Sequence, residues 1–256
     1  MAEATSRLYL ITPPLAEVAG FAPSFEAALA AGDIACVFLR TQALAAREIK
    51  KIIAALAPLA QKHDTAVLIA DPVLAARVDA DGVHVSGTGP ELEAALTAMK
   101  PDRIVGVGAV SSRHEAMLAG ESGADYVMFG WPEEARDQDG FGSNRSKAMN
   151  AIDFASVERD AGGKAVSTFP HPAPGPASEP TADDDASVGA RVAWWAAIFT
   201  LPCVGYAASL ADVGPLAAAG ADFVALGDAV WLHPEGAAAA VKAAMRALAT
   251  AREPIP

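Results

Sequence analysis

The sequence predicts an α/β protein, a (β/α)8 TIM barrel with a long insertion after the sixth strand. Short apolar segments alternate with longer helical segments, and eight such units can be counted. The strand segments are apolar throughout, as a parallel sheet covered on both faces requires. A chain of 256 residues also suits this barrel, and we predict a single domain over residues 1–256.

The strand and helix segments can be placed in chain order. The predicted strands are Leu8–Thr12, Ala35–Arg40, Ala66–Ala70, Gly82–Val85, Ile104–Val107, Tyr126–Phe129, Cys203–Tyr206 and Phe223–Leu226. The clearest helical segments between them are Ala46–His63, Pro90–Lys100 and Arg113–Gly123. The last of these ends on glycine, which readily adopts the left-handed conformation at a helix C-terminus.

One short pattern recurs along the chain. "ESGADYVMFG" at 121–130 and "AAGADFVALG" at 218–227 share a glycine, then an aspartate directly before a strand, and "VDADGVHVSG" is a looser third copy. Repeated units of this kind fit a barrel and place these aspartates at the N-terminal ends of strands. We therefore interpret Asp81, Asp125 and Asp222 as turn or stability residues rather than catalytic ones.

The segment 131–189 breaks the alternation and is rich in proline, glycine, serine and acidic residues. Its central part, His171 to Ser187, has no aromatic residue, so we predict a flexible, disordered insertion. It would emerge at the C-terminal rim, where barrel active sites lie, so a lid and a merely tolerated insertion both remain open. The helical segment that follows carries Trp194 and Trp195, which we expect to pack against the barrel wall.

Composition narrows the classes of partner. The net charge of -12 disfavours nucleic acid and anionic membrane surfaces, which need a basic face. The sequence has no apolar stretch long enough to span a bilayer and no secretory signal, so we expect a cytoplasmic location. Cys36 and Cys203 lie in separate apolar segments and are expected to be buried thiols. Small molecules are the expected partners, and a homo-oligomer remains open.

The strand ends "LYLIT", "VFLR", "LIAD", "ADGVHVSG", "IVGVG" and "GADYVMFG" resemble the thiamine-phosphate synthase family, which includes a thiazole tautomerase branch. The likeness covers residues 8–130 and resumes at about 192–226. It implies a TIM barrel in which a hydroxymethylpyrimidine diphosphate is coupled to a thiazole phosphate, a phosphorylated heterocycle, with release of pyrophosphate. It also implies Mg²⁺ as the cofactor.

The resemblance assigns roles to single positions and reveals departures. At the second strand the family pattern Gln-Leu-Arg-x-Lys corresponds to Phe38 to Gln42 of this chain. Arg40 is therefore retained as a phosphate ligand, while phenylalanine replaces the amide and glutamine replaces the lysine. At the third strand Asp71 is retained as the metal ligand without its neighbouring asparagine. The fourth strand keeps His84, but the Gly-Gln-x-Asp that follows reads Ser86 to Gly89, which removes a second magnesium carboxylate.

Further departures follow around the rim. The family pattern Gly-Val-Ser-x-His corresponds to residues 106–110 of this chain, where the serine and the histidine are absent. The family pattern Gly-Pro-x-x-x-Thr-x-Thr-Lys is replaced from Gly130 onward. The Gly-Gly phosphate cradle after the seventh strand reads Tyr206-Ala207-Ala208, and Val-Ser after the eighth reads Gly227-Asp228. These departures predict a synthase-like protein with weak or altered activity, and whether it is an enzyme stays open.

Several alternatives remain at this point. Asp71 precedes proline, so it is either a helix cap, a metal ligand or both. Arg40 is expected to bind an anion or to pair with Asp71, and His84 is either an interior or a site residue. The predicted substrate-binding residues are Phe38, Arg40, Gln42, His84, Trp131 and Tyr206, with Asp71 for metal and the catalytic residues unknown.

Two other functions compete with a weak synthase. The first is a ligand-binding relative that takes a less charged heterocycle in a pocket edged by Phe38, Phe129, Trp131 and Tyr206. The second is a non-catalytic relative that regulates thiamine metabolism.

Overall fold

The computed structural model describes residues 6–78, 80–110, 112–132 and 187–251. Eight strands in these ranges form a closed barrel in which every neighbouring pair is parallel and the order follows the chain. The predicted TIM barrel is confirmed. The strands are β1 Arg7–Ile11, β2 Ile34–Phe38, β3 Ala66–Ile69, β4 Gly82–Ser86, β5 Ile104–Gly108, β6 Tyr126–Phe129, β7 Cys203–Ala207 and β8 Phe223–Leu226.

Helices follow the strands on the outside of the barrel. In the described ranges they are α1 Ala22–Leu29, α2 Ala46–Gln61, α3 Pro72–Ala75, α4 Pro90–Met99, α5 Arg113–Glu121, α6 Val188–Ile198, α7 Val213–Ala218, α8 Asp228–Trp231 and α9 Ala237–Thr250. The predicted helices α2, α4 and α5 are confirmed. Gly123, just beyond α5, has a φ of 95°, the left-handed conformation that its position predicts.

The side chains of each strand alternate between two buried layers. Along β6, Tyr126 and Met128 lie in the cluster that fills the barrel interior, while Val127 and Phe129 belong to the layer between barrel and helices. The helix α6 packs in that outer layer through Trp195, which is fully buried. Both layers are mostly apolar, which explains why the strand segments show no polar alternation in the sequence.

An aspartate directly precedes each even-numbered strand. Asp81, Asp125 and Asp222 precede β4, β6 and β8, and their carboxylates accept the backbone N–H groups of Val67, Val105 and Cys203 at 2.7, 2.7 and 2.8 Å. Each of these N–H groups belongs to the preceding odd-numbered strand. The fourth, Asp33 before β2, instead pairs with the guanidinium of Arg7 at the start of β1, 2.7 Å away. The structural role predicted for Asp81, Asp125 and Asp222 is confirmed.

Other predictions have mixed outcomes. Cys36 and Cys203 are buried free thiols, and burial raises the pKa of Cys203 to about 12. None of the helices in the described part of the chain is long and apolar enough to cross a membrane. The disorder predicted for the insertion concerns residues that lie almost entirely outside the described ranges, and α6 begins at Val188, one residue before the predicted end of that segment. The extent of the domain stays a prediction.

Candidate functional site

A cavity of about 650 Å³ opens at the carboxyl ends of β2 to β6, the end of this fold where active sites lie. Five of the predicted site residues line it together, namely Phe38, Arg40, Asp71, His84 and Trp131. They come from four different strand ends, so only closure of the barrel brings them together. Ser86 and Glu91 also line the cavity.

A stack of flat groups forms one wall of the cavity. The indole of Trp131 lies almost parallel to the imidazole of His84, with 4° between the planes and 5.3 Å between the ring centres. The guanidinium carbon of Arg40 lies 5.5 Å from the centre of the indole, within range of a cation–π contact. Phe38 lies 5.1 Å from His84 and 5.9 Å from Trp131. This wall favours planar, aromatic ligands.

Beneath this wall, His84 belongs to a buried chain of hydrogen bonds. Its Nδ1 lies 2.7 Å from the hydroxyl of Tyr126, which in turn lies 3.1 Å from the hydroxyl of Tyr9. His84 is 2 % exposed, and burial lowers its pKa from 6.5 to about 3, so the ring is neutral at physiological pH. Burial also raises the pKa values of both tyrosines. Nε2 of His84 has no hydrogen-bond partner among the described residues.

Two glycines of β5 make room for these rings. A Cβ atom on Gly108 would lie 2.5 Å from Nε2 of His84, and a Cβ atom on Gly106 would overlap the ring of Tyr126. Any larger residue at either position would have to displace a buried ring. The resemblance places a serine at position 108. A serine side chain there would collide with the imidazole of His84 as it lies in this structure, so the glycine permits this position of the ring.

Asp71 combines the two roles that its sequence context leaves open. Its Oδ1 accepts the backbone N–H of Leu74 at 2.9 Å, so it caps α3, and the cap prediction is confirmed. The residue is half-buried and lines the cavity. An N-cap needs only one carboxylate oxygen, which leaves Oδ2 for a ligand.

Glu91 is a site residue that the sequence reasoning missed. It lies in the first turn of α4, and its Oε2 is 3.2 Å from the position that a Cβ atom on Gly89 would occupy. The carboxylate of Glu91 therefore reaches back into the space beside position 89, where the resemblance implies a second carboxylate. The sequence does show an acidic residue two positions after Gly89. A motif comparison cannot show, however, that its side chain folds back past Pro90.

The carboxylates can be tested against Mg²⁺, the metal implied by the resemblance. Within residues 6–78, 80–110, 112–132 and 187–251, no group of three or more His, Cys, Asp or Glu side chains could hold a metal. Asp71 and Glu91 nevertheless line one cavity. Mg²⁺ is commonly bound by one or two carboxylates together with substrate phosphates and water. By chemical type these two carboxylates suit Mg²⁺ of that kind, held jointly with a phosphorylated substrate.

Three predicted residues lie elsewhere. The pocket role predicted for Phe129 is wrong, because strand alternation turns its ring outward, 5.8 Å from that of Trp195. Tyr206 lies in the barrel interior but does not line the cavity. Gln42 is exposed beyond β2 and outside the cavity lining, and its backbone N–H donates to the carbonyl of Leu15 at 2.9 Å.

Comparison with known proteins gives a consistent result. The family model described as thiamine monophosphate synthase matches residues 8–135. A thiamine-phosphate synthase of Rhodospirillum centenum is 38% identical over 92% of this chain and 94% of its own length, and one of Hyphomonas neptunium is 32% identical over 93% and 91%. A solved thiamine phosphate pyrophosphorylase of Pyrococcus furiosus shares the fold, with a TM-score of 0.66, 20% identity and coverage of 96% of this chain and 97% of that one.

Proposed function

Because this chain belongs to the thiamine monophosphate synthase family, we propose that it joins a hydroxymethylpyrimidine, supplied as its diphosphate, to a thiazole through a new C–N bond. The observation that carries this proposal is the composition of the cavity. A guanidinium group, two carboxylates and an aromatic wall line one space at the C-terminal end of the barrel. A diphosphate attached to a planar ring needs groups of both kinds.

The charged side of the cavity acts on the diphosphate. Arg40 would hold its oxygens through the planar guanidinium, whose N–H groups match two phosphate oxygens at once. Asp71 and Glu91 would hold Mg²⁺, and bound Mg²⁺ supplies positive charge that stabilises the departing diphosphate. The C–O bond breaks with its electron pair leaving on the diphosphate, and the lone pair of the thiazole nitrogen forms the new C–N bond.

The aromatic side of the cavity acts on the pyrimidine. The faces of Trp131 and Phe38 would bind a planar ring, and their π electrons favour the positive charge that develops on it as the diphosphate leaves. The imidazole of His84 lies in the same wall. Because the imidazole is neutral, it does not repel the developing cation.

The same residues predict a slow reaction. Phe38, Gln42 and Gly89 stand where the resemblance implies an amide, a lysine and an aspartate. Removing a single contact that stabilises charge in a transition state typically costs about 3 kcal/mol, or roughly a hundredfold in rate. Glu91 compensates for one of these losses, so we propose reduced rather than absent turnover.

Turnover tests the proposal directly. The full chain is incubated with hydroxymethylpyrimidine diphosphate, a thiazole phosphate and Mg²⁺, and the coupled product is measured by mass spectrometry. We expect slow product formation and a loss of at least tenfold in kcat/KM for Arg40→Gln. Arg47→Gln, on the exposed face of α2, is the matched control and should leave the rate unchanged. Absence of product from the wild-type protein would contradict the proposal.

Metal binding is tested separately from activity. Mn²⁺ replaces Mg²⁺ in the presence of inorganic pyrophosphate, and bound Mn²⁺ is counted by electron paramagnetic resonance. We expect Glu91→Gln to weaken Mn²⁺ binding at least fivefold. Glu93→Gln changes the same charge in the same helical turn but lies outside the cavity lining, so it should leave the affinity unchanged. Equal affinities in the two variants would remove Glu91 from the proposed site.

A ligand-binding protein without turnover is the second candidate function. The observation that favours it is the ring of Phe38, which places an apolar group on the cavity wall where the resemblance implies an amide. This candidate predicts that an uncharged pyrimidine or thiazole changes the fluorescence of Trp131 and raises the melting temperature, while pyrophosphate does neither. Trp131→Phe is the control that assigns the fluorescence signal to this indole.

A further inference from the structure

The loop that follows β1 is bonded to the backbone of Arg40. Thr12 comes directly after β1 and is buried, with 1 % of its surface exposed. Its backbone N–H donates to the carbonyl of Phe38 at 3.0 Å, as in a continued parallel ladder. The next bond of such a ladder would run from the N–H of Arg40 to the carbonyl of Thr12. Here the hydroxyl oxygen of Thr12 accepts this N–H at 2.9 Å, so a side chain fixes the backbone beyond the end of β2.

Two further hydrogen bonds hold the same segment. The backbone N–H of Leu15 donates to the carbonyl of Arg40 at 3.0 Å, and the N–H of Gln42 donates to the carbonyl of Leu15 at 2.9 Å. The two residues before Leu15 are Pro13 and Pro14, whose rings fix φ and which have no N–H to satisfy. The loop is therefore stiff, and both backbone polar groups of Arg40 are bonded to it.

The direction of the Arg40 side chain depends on this backbone. β2 ends at Phe38, so Arg40 lies two residues beyond the strand. Among the described residues that line the cavity, Arg40 is the one with a cationic side chain. A guanidinium binds two phosphate oxygens at once only when its plane faces them, and a displacement of about 1 Å weakens such an arrangement strongly. The hydroxyl of Thr12 thus affects the charged side of the cavity without lining it.

We propose that Thr12 is a positioning residue that holds Arg40 in the direction needed to bind the diphosphate. It acts through the backbone N–H of Arg40 and contributes no atom to the cavity wall. The inference rests on the function proposed above, in which Arg40 holds the diphosphate, and it adds the residue that pre-organises this contact. Thr12 takes part in no bond-forming or bond-breaking step, so its effect should appear in the affinity for pyrophosphate.

Removal of the hydroxyl tests this role. Calorimetry measures the binding of inorganic pyrophosphate to the full chain in the presence of Mg²⁺. Thr12→Val keeps nearly the same shape but leaves the N–H of Arg40 without its acceptor, so we expect the affinity to fall at least fivefold. Thr12→Ser restores an acceptor and should stay within twofold of the wild type.

Thr65→Val is the matched control. Thr65 is also a buried threonine, 2 % exposed, and its hydroxyl donates to the carbonyl of Ile34 at 3.0 Å. It precedes β3 and therefore lies at the opposite end of the barrel from the cavity. Thr65→Val removes the same group from an equally buried place and should leave the pyrophosphate affinity unchanged.

A double-mutant cycle separates positioning from a general loosening of the rim. If Thr12 acts through Arg40, Thr12→Val should change the affinity less than twofold in a protein that already carries Arg40→Gln. The same fivefold loss in both backgrounds would overturn the inference, because Thr12 would then affect binding independently of the guanidinium.

The remaining outcomes distinguish this inference from the proposed function. Equal affinities of the wild type and Thr12→Val would overturn the role of Thr12 and leave the diphosphate site intact. If the wild-type protein does not bind pyrophosphate, the diphosphate site fails and the role of Thr12 fails with it. Circular dichroism checks that each variant is folded, and Thr12→Ala, which also removes the hydroxyl, replaces Thr12→Val if the latter is not.

Discussion

Protonation of His84 should make the stability of the fold depend on pH in the mildly acidic range. Burial lowers the pKa of this imidazole from 6.5 to about 3. Between these two values the unfolded chain binds a proton that the folded chain does not. The contribution of His84 to the free energy of unfolding is therefore fully present above pH 6.5 and is lost progressively as the pH falls toward 3. The asparagine variant His84→Asn removes the titrating group and keeps a polar atom near the Tyr126 hydroxyl.

The size of the effect follows from the two pKa values. Each pH unit below 6.5 lowers the free energy of unfolding by about 1.4 kcal/mol, so a change from pH 7.5 to pH 5 costs about 2 kcal/mol at this residue alone. The exposed carboxylates and the other histidines contribute equally in wild type and variant. The difference between the two proteins therefore isolates His84.

Urea unfolding followed by circular dichroism measures the effect at pH 7.5 and at pH 5. The wild-type protein should lose about 2 kcal/mol more than His84→Asn between these two conditions. His114→Asn, at an exposed position on α5, should lose as much as the wild type. Equal losses in the wild type and His84→Asn would refute the reasoning, because the buried imidazole would then titrate at its ordinary pKa.

Three further predictions concern single contacts. Asp222→Ala leaves the N–H of buried Cys203 without its acceptor and should cost about 1–3 kcal/mol in urea unfolding, whereas Asp33→Ala, which breaks an exposed ion pair, should cost less than about 1 kcal/mol. Gly106→Ala pushes a methyl group into the ring of Tyr126 and should cost about 1–3 kcal/mol or more, while Gly20→Ala, with nothing within 4 Å of the new atom, should change thermal stability little. Asp71→Asn should keep the cap of α3 and the stability but weaken Mn²⁺ binding, whereas Asp71→Ala should weaken that binding and also cost about 1 kcal/mol. Equal stabilities of the two Asp71 variants would contradict a capping role.

The fold could be predicted from the sequence because its signals are local. Continuous apolar segments mark strands that are buried on both faces, and proline at the start of α3 and α4 or glycine after α5 marks the helix limits. The structural aspartates could also be predicted from the sequence, because each stands one residue before a strand. These features depend only on a few neighbouring residues.

The site could be predicted only in part, because it depends on side-chain directions. Phe129 was misplaced since neighbouring residues of a strand face opposite layers, and an entirely apolar strand does not reveal which residues face inward. Glu91 was missed because its carboxylate reaches back past Pro90 to the space beside Gly89. The stack of Trp131 on His84 joins the ends of two strands that are not neighbours, and no spacing in the sequence encodes it.

The four aspartates before the even-numbered strands also connect the strands in pairs through their carboxylates. The carboxylate of each joins an even strand to the odd strand before it, in the pairs β1–β2, β3–β4, β5–β6 and β7–β8. In chain order, residues 133–186 stand between β6 and β7, at a junction of two such pairs. Added chain length at a junction separates no carboxylate from its partner, and the entropy of closing a loop rises only slowly with its length. The longest connection in the sequence thus falls between two such pairs, and the other three junctions are where we expect further segments to be tolerated best.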